Sequence, residues 1–478
     1  MTAPVKGRRI LLLLSFLLAA APASALRPAA GSVVRLTIWT HHRHMDDLTQ
    51  ELIDEFNRTV GRRKGIRVVQ RVLGDDAWDL FQKAQERGEG PDLYSAGFVT
   101  RYADPFAAGA QTWFDDLPGF DRWKRQWPSW YWIEGTTTYR GHVYAIPAQV
   151  LNSRLIYNRD LFRAAGLDPD RPPRSYPELL AAARRITEKG KGRYYGFAFC
   201  GGESWWLEWM PSQWAEANGD PAWWDWSTGR WAMNGFARVF RLILDLQKDG
   251  SLFPGAAVLT NDALRAQFAE GRIGMFMGEF WDVGVLNDQF PARCDWAVAP
   301  IPTYDGAFHG KSRAMIIGGL WTINGRTRHK LEAWEVVRWF NRYEVRARLY
   351  ERGKCIDPDP AVVRLYVRRR PTVKGFRAFA DTLDQDYRAT YPYLPGWQPP
   401  RDNPAAALRR LLARGGEPDA ELRRVDELWN GALDRYYAAN PHVKRNWNVY
   451  PRFDRRVGAL GPPLEIPSFA ADPGKARN

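Results

Sequence analysis

Cysteine is scarce in this chain: Cys200, Cys294 and Cys355 are the only three in 478 residues. Three widely spaced thiols are too few for a disulfide framework, which excludes a small cross-linked scaffold. They leave one bridge open, and the sequence does not choose the pair. Histidine is scarce too, at seven, and three of those share one loop: His41, His42 and His44. Beyond the first 25 residues no apolar run approaches the roughly 20 residues needed to span a bilayer, so no membrane helix is expected there. The chain also lacks a Gly-x-Ser-x-Gly elbow, a His-Glu-x-x-His helix and a phosphate-cradling loop. Those gaps remove the common signatures of ester, peptide and nucleotide chemistry, and no cofactor is expected.

What is there begins with an export signal. Lys6, Arg8 and Arg9 form a basic start, Ile10 to Ala20 an apolar stretch, and Ala23–Ser24–Ala25 a small-residue cleavage site. The apolar stretch is too short for a membrane anchor. No cysteine sits at the cleavage site to carry a lipid, so a free periplasmic protein cut near Ala25 is expected. The general export route is preferred, although Arg8–Arg9 keeps the twin-arginine route open.

The mature length of about 450 residues exceeds what one core usually serves, so two domains are the default. The net charge is +14 and falls to +11 without the three basic leader residues. Arginines are interspersed with acids, with "RLYVRRRP" at 364–371 the densest cluster. A solvated face explains this better than nucleic-acid binding. Tryptophan is the abundant oddity, at 23 residues, eight of them within "WWLEWMPSQWAEANGDPAWWDWSTGRW" at 205–231. Buried indole N–H groups need partners, whereas flat rings with one polar edge suit sugars. Composition therefore points first to sugar binding, with this segment either an extended sugar platform or a self-packed subdomain.

Along the chain, "VVRLTIWT" (33–40) alternates as a strand and "MDDLTQELIDEFNRT" follows with Leu48, Leu52, Ile53 and Phe56 at helical spacing. "IRVVQRVL" reads as a strand, "DDAWDLFQKAQER" as a helix and "PDLYSAG" as a third strand. Strands alternating with helices mean parallel pairing in a doubly wound α/β layer, whose ligands sit beyond the strands' carboxyl ends. Those ends are Trp39–Thr40–His41 and Tyr94 to Phe98. A metal site needs at least three converging ligands. His41, His42 and His44 alternate sides on an extended segment and recruit no obvious fourth partner. Cleft lining is favoured, with a metal receptor using His41 and His44 as a minor alternative.

A second α/β unit starts within "HVYAIPAQVLNSRLIYNRDLFRAAGLDPDRPPRSYPELLAAARRITEKG" (142–190), where Ser175 and Glu178 form a capping box. "FAEGRIGMFMGEFW", "APIPTYDG", "GGLWTIN" and one long helix over 330–352 follow. Glu203, Glu208, Glu279 and Asp282 lie near expected cleft ends. A glycoside hydrolase would need two such carboxylates facing each other across a bond. Hydroxyl binding suits them better, and no catalytic residue is assigned.

At these motifs, in this order, the chain resembles the family-1 extracellular solute-binding proteins, the receptors of ABC importers that include the maltose-binding protein. The resemblance covers nearly the whole mature chain. It implies a type II periplasmic binding protein fold: two doubly wound α/β lobes joined by crossing segments and closing like a clamp. The crossings would be Ile146–Val150, Ala299–Tyr304 and the end of the 330–352 helix, with bending at Gln149 and Tyr304. The lobes would comprise 33–147 with 300–345, and 148–299 with 346–466, followed by a 467–478 tail. Family contacts carry over onto Trp39, His41, Ala96, Gly97, Phe98, Asn152, Ser204, Trp205, Trp206, Trp281, Gly318, Gly319 and Trp321, with Glu279 beside Trp281. The implied ligand is a carbohydrate, most simply an oligosaccharide, and the implied partners are the permease subunits of an ABC importer, served by a monomer. Arg101, Arg154 or Arg352 in the cleft would select an acidic sugar. The family's usual Gly-x-x-Pro segment after the late helix is replaced here by "ERGKCIDPDPAVV".

Overall fold

The computed structural model describes residues 33–74, 77–95, 109, 111–132, 134, 137–318, 320–389, 392–458, 460 and 463–465. The leader, Ala96, Gly97, Phe98, Arg101, Gly319 and the 467–478 tail lie outside them.

Strand β1 (Val34–Thr40) turns Leu36, Ile38 and Thr40 inward. Helix α1 (Asp46–Phe56) buries Leu48, Leu52, Ile53 and Phe56 on one face and runs into a π turn at Asn57–Gly61. Then come β2 (Ile66–Val72), α2 (Ala77–Arg87) and β3 (Leu93–Tyr94). Both β2 and β3 pair parallel with β1, so each connection is a crossover.

The chain leaves this layer through β4 (Pro147–Leu151). The second layer is built from β5 (Ser153–Asn158), α3 (Tyr176–Gly190), β6 (Tyr195–Ala198) and α4 (Ser204–Ala217). It continues with α5 (Ala237–Lys248), α6 (Asn261–Ala269), β7 (Ile273–Glu279) and β8 (Trp296–Ala299). Its sheet order is β8-β5-β7-β6, with β6 and β7 parallel and the other pairs antiparallel. Ser175 caps α3 by accepting from the Glu178 N–H at 3.3 Å. The Glu178 carboxylate accepts from Arg174 N, one residue ahead of the cap, at 2.7 Å. Gly196 lets α3 lie directly on β6, since a Cβ there would fall 2.1 Å from the Ala183 carbonyl oxygen.

The return runs through β9 (Ser312–Gly318) to β10 (Thr322–Ile323), which joins β3, and then α7 (Lys330–Phe340) and α8 (Tyr343–Glu351). After these come β11 (Asp386–Ala389), α9 (Pro404–Arg414) and α10 (Pro418–Ala439). A three-stranded sheet, β11-β9-β4, holds the outgoing and returning chain side by side.

Two large cores result. Ile146 packs in the first and Val150 in the second; Cys355 belongs to the first and Ile356 to the second. The Val150 N–H donates to the Ile356 carbonyl at 2.8 Å, so both switch points are stitched together. Ala299–Tyr304 is not a crossing: Thr303 pairs with Ser175, and the Tyr304 N–H donates to Asn218 at 2.6 Å, both within the second layer. Tyr304 also stacks on His309 at 4.4 Å and lies under the Arg238 guanidinium of α5 at 4.7 Å, both within the second layer. The crossing strand is β9 instead. Leu349 and Cys355 pack in the first core, so the first unit extends past residue 345. The single helix expected over 330–352 is two, broken where Arg342 turns extended and Asn341 Nδ2 donates back to the Val337 carbonyl at 2.8 Å.

Buried at the crossing sheet, Asp386 accepts from Arg154 Nη2 at 2.7 Å, Asn152 Nδ2 at 2.8 Å and Ser312 Oγ at 2.5 Å. One carboxylate thus ties three elements. Among the described residues no helix is long and apolar enough to cross a membrane.

Candidate functional site

Where β1 ends, the chain makes a tight turn that carries the three histidines. Ser95, at the end of β3, lies with its Oγ 3.0 Å from His41 Nδ1. The His41 and His42 rings are 4.4 Å apart and those of His42 and His44 5.9 Å apart. Desolvation, helped by Arg43, lowers the His41 pKa to about 4. Desolvation, then Arg265 and Lys354, lowers His44 to about 3. All three rings are therefore neutral at pH 7 and sit among cations. Among the described residues no group of three or more His, Cys, Asp or Glu side chains is placed to hold a metal ion.

The turn meets the second layer directly. Arg43 Nη2 pairs with Asp262, at the start of α6, at 2.6 Å. Asp262 also takes Arg265 at 3.1 Å, and Arg265 Nε reaches Asp282 at 2.6 Å. The other Asp282 oxygen accepts from the Glu279 N–H at 2.8 Å, at the end of β7. A chain of alternating charges thus runs from the end of β1 to the end of β7. Lys354 adds a second tie, pairing with Asp47 at 3.0 Å and Asp288 at 2.7 Å. The approach is close enough that a Cβ on Gly284 would fall 2.9 Å from His44 Cβ.

Beside Asp262, the Glu203 carboxylate accepts from the Asn261 N–H at 2.8 Å and from Trp205 Nε1 at 2.7 Å. Trp205, 41% exposed, lies with its ring 6.2 Å from that of half-buried Trp281. Two indoles with open surface, one carboxylate and the Arg43–Asp262 pair therefore gather where the two layers meet. Glu279 lies beneath, fully buried, with one oxygen accepting from Trp209 Nε1 at 2.8 Å and Gln213 Nε2 at 2.5 Å. Its other oxygen has no hydrogen-bond partner among the described residues, and burial raises its pKa to about 8.

The expected contacts divide. Trp205, Trp281, His41 and Glu279 come together around this junction. Trp39 is half-buried at the same strand end, with the Arg71 guanidinium 5.0 Å from its ring centre. Ser204 sits at the junction but accepts from Arg409 Nη2 at 2.8 Å. Gly318 lies in the crossing sheet at a register break opposite Pro147. Three expected contacts are core residues. Asn152 donates into the Asp386 network, Trp206 stacks on Phe199 at 6.2 Å, and Trp321 is buried edge-on to Phe340. Ala96, Gly97, Phe98 and Gly319 fall outside the described residues. Of the candidate arginines, Arg154 is bound to Asp386 and Arg352 pairs with Glu51 at 3.4 Å. Arg43, Asp262 and Arg265 were not legible as a set; Thr260 capping α6 was the available signal for Asp262.

Seven of the eight tryptophans at 205–231 are buried; only Trp205 is exposed. Trp231 stands edge-on to Trp223, Trp224 and Trp429 at 5.6, 4.9 and 5.0 Å. These seven indoles pack into the second core, so most of the segment forms neither a separate subdomain nor a sugar platform. The four carboxylates considered for catalysis, Glu203, Glu208, Glu279 and Asp282, all belong to the second layer, and Glu203 and Asp282 are engaged as described.

The residue pattern of the bacterial extracellular solute-binding proteins matches residues 44–347. The sn-glycerol-3-phosphate-binding periplasmic protein UgpB of Agrobacterium fabrum is 26% identical over 255 residues, 51% of this chain and 52% of that protein. UgpB of Rhizobium meliloti is 27% identical over 223 residues, 44% of this chain and 48% of that one. The matches thus span about half the length of these curated relatives. Among solved structures, the GacH receptor of Streptomyces glaucescens GLA.O superposes with a TM-score of 0.65 at 19% identity, over 84% of this chain and 99% of its own. The maltotriose-bound MalE domain of Bdellovibrio bacteriovorus gives 0.59 at 17%, over 84% and 100%. Likeness at that identity speaks for the fold, a type II periplasmic binding protein architecture. The pattern match covers well over half of the chain, which therefore belongs to the bacterial extracellular solute-binding protein family.

Proposed function

We propose that the chain is the exported, monomeric receptor of an ABC-type importer and that it closes on a carbohydrate between its two lobes. The lobes are taken as 33–147 with about 316–355, and about 148–315 with 356–465. The observation that carries the ligand class is the Trp205–Trp281 pair. In a protein that buries nearly all its indoles in this region, these two keep open surface at the lobe junction, beside Glu203 and Arg43. Open rings offer stacking faces for sugar C–H groups, and the adjoining carboxylate, guanidinium and neutral imidazole offer directed hydrogen bonds. Each sugar hydroxyl buried without such a partner would cost about 1–3 kcal/mol, so both kinds of group are needed. Closure delivers the solute to membrane permease subunits, because a ligand shifts the open–closed balance only by its affinity difference between the two states.

The test is calorimetric titration of the mature protein with maltodextrins and other neutral oligosaccharides. Trp205→Ala and Trp281→Ala should each weaken sugar binding by about 2 kcal/mol, roughly 30-fold, with unchanged unliganded melting. Full affinity in both variants would remove this ligand site. The names of the UgpB relatives motivate a second ligand for the same titration, glycerol 3-phosphate, for which Arg43 is a cation at the junction. Binding of it that survives Trp205→Ala but not Arg43→Ala would replace the sugar reading with a phosphorylated polyol.

A further inference from the structure

Outside the cleft, the first lobe carries a separate concavity of about 390 Å³. Trp123, Trp127, Trp339 and Tyr343 form its walls, and Val60, from the π turn after α1, stands at its edge. The rings are fixed in place. Trp127 stacks on Tyr131 at 5.0 Å and has Trp123 and Tyr343 leaning on it at 5.2 and 5.0 Å. Trp127 is only 7% exposed, and its Nε1 has no hydrogen-bond partner among the described residues. The two acids of the wall are already engaged: Glu335 by Lys64 at 2.9 Å and by Arg338, and Glu344 by Arg342 at 3.5 Å.

Around this aromatic floor the chain places arginines. Arg58, Arg62 and Arg63 flank Val60 and are exposed; Arg122 and Arg125 flank Trp123 and are exposed. Tyr366 stacks on Tyr343 at 4.8 Å and carries the surface on into exposed Arg364, Arg368, Arg369 and Arg370, with Leu365 66% exposed among them. None of these nine makes an ion pair with a described residue. Glu351 gives its carboxylate to the backbone N–H groups of Arg368 and Arg369. Elsewhere arginines meet acids in sets, as Arg410 and Arg424 do with Asp402 and Glu421. The two wall acids are thus turned to other partners, and these nine arginines, unpaired with any described residue, are available to something outside the molecule.

We infer that this face docks an acidic polypeptide segment with an aromatic or aliphatic anchor residue. The pocket is large enough for one bulky side chain, and its aromatic walls are rigidly packed, as interface anchors require, with Gln126, Arg338, Asn341 and Arg342 lining the rest. The arginine rim supplies complementary charge and speeds encounter. A flat anionic bilayer would meet the arginines but leave the pocket unfilled, so a protein partner fits both features together. The surface stands apart from the cleft and does not depend on which solute the cleft holds.

The experiment is fluorescence anisotropy of the full mature protein with a labelled peptide, Asp-Glu-Asp-Trp-Asp-Glu-Asp, at low salt and at about 150 mM salt. Saturable binding is expected that falls about tenfold in the Arg368→Ala/Arg369→Ala/Arg370→Ala variant, and about tenfold again when the peptide's Trp is replaced by Ala. Val60→Glu, which puts a carboxylate at the pocket edge, should repel the peptide similarly while thermal unfolding and cleft binding stay unchanged. No binding, or equal binding by the Trp and Ala peptides or by wild type and triple variant, would overturn the inference. So would arginine-dependent binding to phosphatidylethanolamine–phosphatidylglycerol vesicles without peptide binding, which would name a lipid surface instead.

Discussion

Trp205 and Trp231 belong to the same tryptophan-rich stretch and meet opposite fates. Trp231 is 2% exposed, enclosed edge-on by Trp223, Trp224 and Trp429, and contributes to a core. Trp205 is 41% exposed, held at its N–H by Glu203, and faces Trp281 at the junction of the lobes. The difference is position. Trp205 opens α4 just beyond β6, where an α/β layer presents its ligand loops. The rest lie inside α4 or in the hairpin that the second core swallows. Abundance of a residue type therefore says little about binding until the topology assigns each copy a face.

The largest test of this contrast is Trp231→Ala. Emptying the centre of an edge-to-face cluster should destabilise the protein by about 4 kcal/mol, read in denaturant unfolding. Cleft affinity below the melting range should not change; if it did, the packed cluster and the cleft would not be separable.

Next comes the boundary between them, Glu279, which takes the N–H of core Trp209 on one side and sits one bond from the Asp282–Arg265 chain on the other. Burial keeps its carboxyl protonated up to about pH 8, whereas its ordinary value is 4.5. Between those values the unfolded chain has released a proton that the folded chain keeps, so stability falls as pH rises from about 4.5 to about 8. Glu279→Gln is neutral throughout. It should match wild type near the lower end and exceed it by roughly 4 kcal/mol at the upper end, in unfolding measured across pH. Parallel profiles would mean that Glu279 is ionised in the folded protein.

The smallest effect belongs to the junction. Arg43→Ala removes the partly exposed pair with Asp262, worth about 1 kcal/mol at most. It should weaken ligand binding about fivefold, with little change in melting.

Much of this architecture is written in local pattern. The strand alternation of 33–40 and the helical spacing of Leu48, Leu52, Ile53 and Phe56 each depend on one face being buried, so they translate directly into β1 and α1. Ser175 and Glu178 mark a helix start for the same local reason. The crossing was harder. Pro300 and Pro302 made an extended segment that resembled a crossing strand, while the true one, "SRAMIIG", is told apart only by its pairing with Pro147–Leu151 and Asp386–Ala389. The resemblance carried contacts onto Trp205, Trp281 and His41, which lie at the lobe junction. It carried them equally onto Asn152, Trp206 and Trp321, which are buried, because a position near a strand end still points to either of two sides. Within α4 the signal was present: Trp206, Trp209, Met210 and Trp214 recur at helical spacing, a core stripe that excludes Trp205. The Arg43–Asp262–Arg265–Asp282 chain joins residues more than 200 positions apart, and no local pattern encodes that.

The most direct measurement is a thermal-shift screen of the mature protein against neutral oligosaccharides, uronates, glycerol 3-phosphate and divalent metals, with each ligand recovered afterwards. The account predicts a melting rise that scales with one carbohydrate class and a sugar returned intact. A rise with metals alone, or a sugar returned cleaved, would contradict it.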